Sequence, residues 1–140
     1  MPSRTTIPSL LRRIREEPSD AELHQELGRL YLKKGITQLA KAAYERSLEL
    51  DPCDPWTHLY LGNWYEFVQE YEQALECFAY AARLLPDDST AFWCMAGAYE
   101  SLGMEDLAAE NYQLALDTNP TDRIARRRWH AWRRRHAAES

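Results

Sequence analysis

The sequence lacks any apolar run long enough to cross a bilayer, and its opening residues, MPSRTTIPSLLRRIREEP, lack the apolar core of a signal peptide. A soluble, cytoplasmic protein with no membrane contact is therefore expected. Glycine is scarce, five residues in all, and none sits in a phosphate-cradling loop. The three cysteines, Cys53, Cys77 and Cys94, are an odd number without paired spacing. That fits a reducing compartment and offers no zinc-ligand pattern. His24 and His58 bring no further ligands at a suitable spacing, and each reads as a packing ring. No serine or cysteine lies in a nucleophile motif. There is no low-complexity stretch and no Gly/Ser linker. The reading is one domain, 1–140, that is not an enzyme and needs neither cofactor nor metal.

What the chain does have is a period of 34. Pro18, Pro52, Pro86 and Pro120 keep that step, as do Asp20, Asp54, Asp88 and Asp122. So do Tyr31, Tyr65 and Tyr99; Ala40, Ala74 and Ala108; and Tyr44, Phe78 and Tyr112. Leu27, Leu61 and Met95 share an apolar slot, and Gly28, Gly62 and Ala96 a small one. Many slots in register at one step are the mark of stacked structural repeats.

Each unit reads as a helical hairpin. Asp54 can cap a helix whose first residue, Pro55, has no N–H to leave unsatisfied. His58, Leu61, Gly62 and Tyr65 then fall at i, i+3, i+4 and i+7, a helical stripe. On the second helix Ala74, Cys77, Phe78, Ala81 and Ala82 share a face. Gly62 is expected to lie against Ala74, letting the two backbones approach closely. Such a hairpin cannot bury its own face and must stack on a neighbour.

Leu-Gly at 27–28 and 61–62, followed at fixed spacings by Tyr, Ala, Phe or Tyr, Ala and a closing Pro, resembles the tetratricopeptide repeat. The likeness covers 21–54, 55–88 and 89–122. It departs where the family's early Trp is His24, His58 or Phe92, and where the third copy reads Met95-Ala96. The resemblance implies an all-α, right-handed stack of about eight helices that serves protein–protein interaction. Residues 8–18, with Ser9 as cap, read as a half repeat covering one end. Gly35 and Gly103 close the inter-helix turns, whereas Gln69 must either bear strain there or lengthen its helix.

Residues 123–138 are expected to form a basic capping helix. Residues 123–140 hold seven arginines and one glutamate, against 10 basic and 21 acidic side chains in 1–122. Ala125, Trp129, Trp132 and His136 form one edge that can seal the third repeat while the arginines keep the outside wet. The alternative is a polyanion contact through Arg126, Arg127, Arg128, Arg133, Arg134 and Arg135. The acidic body and the small footprint weigh against nucleic acid.

In a stack of such hairpins the first helices line the concave side. The candidate groove residues are Arg29 and Leu32; Trp56, Leu59, Asn63, Glu66 and Phe67; then Trp93, Gly97 and Glu100. The helix at 55–68 is apolar nearly all round, which asks for cover on both sides. The expected cover is a partner peptide or helix anchored on Trp56, Leu59, Phe67 and Trp93. A second copy in a homodimeric scaffold, or the N-terminal tail MPSRTTIP, are the alternatives. The family's two-carboxylate clamp for heat-shock chaperone tails is not expected, since its five places read Gln25, Arg29, Asn63, Trp93 and Gly97 and only Asn63 matches. The layout also resembles small chaperones for type III secretion translocators, which implies a chaperone-like role.

Overall fold

The computed structural model describes residues 4–137. Eight helices follow one another: α1 (Ile7–Glu16), α2 (Ala21–Lys33), α3 (Thr37–Leu50), α4 (Pro55–Phe67), α5 (Tyr71–Leu84), α6 (Thr90–Ser101), α7 (Glu105–Thr118) and α8 (Arg123–Ala137). The described residues contain no strand. The helices pair as hairpins α2–α3, α4–α5 and α6–α7, each packed on the next, with α1 against α2 and α8 against α7 and α6.

The aspartates in register start the first helices. Asp20, Asp54 and Asp122 accept the backbone N–H of Glu22, Trp56 and Ile124 at 3.0, 3.0 and 2.9 Å. Asp88 takes Thr90 N–H at 2.8 Å from one residue further out, because α6 starts a residue late. An Asp there both satisfies an orphan donor and faces the positive end of the helix dipole. At α1 the expected cap is displaced: Thr6 caps, and Ser9 is its reciprocal partner three residues in.

The turns inside the hairpins repeat one device. The N–H of Ile36, Glu70 and Met104 bonds back to the carbonyl of Tyr31, Tyr65 and Tyr99 at 2.8–2.9 Å. This needs a left-handed residue just before, supplied by Gly35 (φ 78°), Gly103 (φ 75°) and Gln69 (φ 66°). Of the two outcomes open for Gln69, the strained one holds. Gln69→Gly should therefore raise stability by about 1 kcal/mol, seen as a higher urea midpoint at unchanged slope. An unchanged or lower midpoint would show that this turn carries no such strain.

Between hairpins one and two a polar joint replaces grease. Thr57 Oγ1 donates to Asp54 Oδ2 at 2.8 Å, and Gln25 Nε2 donates to Asp54 Oδ2 at 2.9 Å and to Thr57 Oγ1 at 2.7 Å. Ser47 Oγ donates to the Ala21 carbonyl at 2.8 Å and lies 3.4 Å from Thr57 Oγ1. Thr57 and Ser47 are fully buried, so the network satisfies groups that would otherwise be costly. His24 and His58 each place Nε2 on a proline carbonyl, Pro18 O at 3.0 Å and Pro52 O at 2.9 Å. A carbonyl only accepts, so Nε2–H donates, and the rings brace the loops rather than only filling space.

The close helix approach differs from expectation in its partner. A Cβ on Gly62 would stand 2.4 Å from the Phe78 ring, and one on Gly28 2.6 Å from the Tyr44 ring. Gly28 and Gly62 thus make room first for the aromatic ring of the second helix, one turn on from Ala40 and Ala74.

Candidate functional site

Helix α4 is covered on both sides by its own stack. Leu61 and Trp64 pack with Ala40 and Tyr44 of α3, and Trp64 Nε1 donates to the Thr37 carbonyl at 2.8 Å. On the opposite side Leu59, 2 % exposed, joins Ala91, Cys94 and Ala98 of α6 and Phe78 of α5. Leu59 is therefore a core residue and not a groove anchor. The all-round apolarity of α4 records three neighbouring helices, and no foreign chain is needed to explain it.

The α6 end of the concave face is also covered. The Arg128 guanidinium of α8 lies 4.6 Å over the centre of the Trp93 ring. A Cβ on Gly97 would meet Arg128 Nη1 at 3.2 Å, so the absent side chain leaves the arginine its place. Glu100 is held by Arg135 and accepts from the Tyr112 hydroxyl. Trp93, Gly97 and Glu100 are therefore contacts of the chain's own last helix. Trp93 Nε1 is buried without a partner in hydrogen-bond geometry, although it lies near enough to Asp122 to favour that carboxylate. Burial raises the Asp122 pKa, but bonds from Ser89 and the N–H groups of Ala125 and Ile124 outweigh it and hold the carboxyl below its usual range.

The seal itself is aromatic. Trp129 sits against Tyr112 at 6.1 Å and stacks on Trp132 at 5.3 Å, which stacks in turn on His136 at 4.3 Å. Trp132 Nε1 donates to Glu105 at 3.1 Å, and His136 Nε2 lies 2.6 Å from the same carboxylate. Of the six arginines singled out for a polyanion, Arg128 and Arg135 are thus engaged by Trp93 and Glu100 of α6, and Arg133 lies 5.9 Å over the Trp129 ring. Arg126, Arg127 and Arg134 are exposed and form no ion pair with a described residue.

What stays open lies between α2 and α4. Arg29, Leu32, Lys33, Tyr44, Tyr60, Asn63 and Phe67 line a cleft of about 330 Å³. Phe67 is 62 % exposed, more than any other large apolar side chain described. Tyr60 stacks on Tyr44 at 6.2 Å and receives the Arg29 guanidinium on its ring at 4.8 Å. The cleft is thus an aromatic floor with a cationic rim. Glu66 is half-buried, and loss of hydration raises its pKa despite the opposing Arg128 charge. Trp56, 41 % exposed, stands in the first turn of α4. Tyr60 and Lys33 were absent from the sequence reading, although Tyr60, Asn63 and Phe67 are spaced i, i+3, i+7 and share a face.

Residues 4–6 line a different cavity with Leu30, Lys33 and Lys34, not the Phe67 cleft. Met1 to Ser3 of the tail lie outside the described residues. Burial pushes the Cys94 thiol up to about 12 and the Cys77 thiol to about 11, so neither is activated as a nucleophile. Among the described residues no group of three or more His, Cys, Asp or Glu can hold a metal ion, and no helix is long and apolar enough to cross a membrane.

Residues 21–52 match the family model of the tetratricopeptide repeat. Among solved structures, the chain is similar to MamA from Desulfovibrio magneticus RS-1, at 21% identity over 94% of this chain and 74% of that one, with a TM-score of 0.80. A further MamA crystal structure gives 20% identity, 94% and 77% coverage, and 0.79. The first such domain of Spaghetti (RPAP3), bound to the HSP90 peptide SRMEEVD, gives 20% identity, 84% and 93% coverage, and 0.75. At these identities the likeness is one of fold.

Proposed function

Because the chain carries a tetratricopeptide repeat at 21–52 and stacks its hairpins in that fold, we infer that it is a protein-binding module whose ligand site is the α2–α4 cleft. The exposed Phe67 beside Tyr60 carries the reading. A large apolar side chain left wet at the floor of a concave surface is a standing gain for whatever covers it. Arg29 and Lys33 at the rim favour a segment with a carboxylate next to its apolar anchor. The relative bound to an HSP90 peptide supports a short peptide as ligand. The clamp residues differ here, with Trp93 and Gly97 covered by Arg128, so a heat-shock tail is not the expected occupant. A cleft this small narrows the chaperone-like role to holding a short segment.

The test is affinity capture with the intact chain and with Phe67→Asp. Phe67 is mostly in water, so its replacement should move stability by only about 0.5 kcal/mol. Loss of the captured polypeptide at unchanged melting temperature supports the cleft. Retention by the variant overturns it. A wild-type particle of doubled mass that Phe67→Asp halves would assign the cleft to a second copy instead.

A further inference from the structure

The outward face of α8 is a second surface that the cleft does not use. Arg123, Arg126, Arg127, His130 and Arg134 fall within about 100° of arc on the helix. All five are exposed, and the four arginines form no ion pair with a described residue. Arg127, His130, Arg133 and Arg134 together line an open hollow. The charge is supplied by arginine alone, whose planar fork matches phosphate oxygens.

We propose that this strip binds the phosphate backbone of double-stranded nucleic acid without reading its sequence. Three features of the face choose that occupant. It has no exposed Phe, Tyr or Trp, and Ile124 at its flank is the only large exposed apolar side chain on α8. A protein partner would therefore find no hydrophobic centre, and a lipid surface no wedge to receive. Single strands are disfavoured because their bases need a stacking platform, and Trp129 and Trp132 spend their faces on each other, Tyr112 and His136. A phosphodiester ladder needs only charge, and the strip spans about 16 Å along the helix axis. The carboxylates bonded to α8 are already engaged, Glu100 with Arg135, Glu105 with Trp132 and His136, and Asp122 with Ser89 and the N–H groups of Ile124 and Ala125. The sequence count of an acidic body therefore overstates the repulsion at this face.

The experiment is fluorescence anisotropy of a random-sequence DNA duplex of about 20 base pairs with the full chain. With four arginines on phosphates, log K should fall against log salt with a slope of about −4, an affinity loss on the order of 100-fold between about 50 and about 200 mM. The triple variant Arg126→Gln/Arg127→Gln/Arg134→Gln should cut the slope to about −1, because each lost phosphate contact removes about one unit. Its fold is safe, since glutamine is as good a helix former as arginine and these exposed side chains form no ion pair with a described residue. Arg46→Gln, an arginine paired with Glu49 on α3 at 2.9 Å, should leave binding unchanged. No binding at the low-salt end overturns the proposal, as does binding that the triple variant retains. Tighter binding of a poly-glutamate peptide or of phosphatidylserine vesicles than of the duplex also overturns it, reassigning the strip to that partner.

Discussion

Gly62→Ala is expected to destabilise the protein by about 3 kcal/mol, the largest loss for a single methyl anywhere in the chain. The added carbon would stand 2.4 Å from Cε1 and 2.7 Å from Cδ1 of Phe78, a ring with no exposed surface and no room to retreat. Alanine's better helix propensity returns only about 1 kcal/mol. Gly28→Ala against Tyr44 should behave alike, since the gap there is 2.6 Å. Gly97→Ala should be close to neutral, because its neighbour at 3.2 Å is the flexible end of the Arg128 side chain, which can shift by a few tenths of an ångström. Urea unfolding of the three variants orders them. Pairing Gly62→Ala with Phe78→Leu should recover part of the loss, and a double variant no better than the sum of its parts would show that ring and glycine do not meet.

That contact marks where sequence reasoning succeeds and where it stops. The 34-residue step finds the helices and their capping aspartates, because caps and turns are local chemistry that a single hairpin dictates. It identifies Gly62 as a point of close approach and sets Ala74 opposite, but misses that the nearest atoms are those of Phe78, one turn on, because which slots come closest depends on the crossing of helices and not on either helix's own period. Leu59 fails for a related reason. Treating the face opposite the stripe as free assumes one packing partner, whereas α4 has α3, α5 and α6 around it. Gln25, one of the five clamp places, spends its amide on Asp54 and Thr57 across the joint between hairpins. Trp93 fails as an anchor because α8, whose arginines obey no repeat at all, lays Arg128 over its ring.

Trp93→Ala is the second large effect, a loss of about 3 kcal/mol from a ring packed on the α4–α5–α6 core. The substitution also removes the face under Arg128. Amide exchange should therefore quicken across α8 more than across α2 and α3, which lie beyond the next hairpin. A uniform change along the chain would mean that the ring does not hold the last helix. The same substitution tells nothing about ligand capture, since it loosens the fold first; Phe67→Asp separates the two.

The two outer layers of the stack are unequal. On α1, Leu11 is 41 % exposed beside Ile14, whereas α8 turns a row of guanidinium groups to the outside. A pile of hairpins is a polar object, and two copies laid tip to tail would bring the α8 guanidinium row onto Leu11 and the exposed Arg12, Arg13 and Arg15 of α1, a junction that dehydrates and crowds like charges for no return. Packing of α8 on the α1 of another copy is disfavoured in the way that a lysine on an exposed strand disfavours sheet extension.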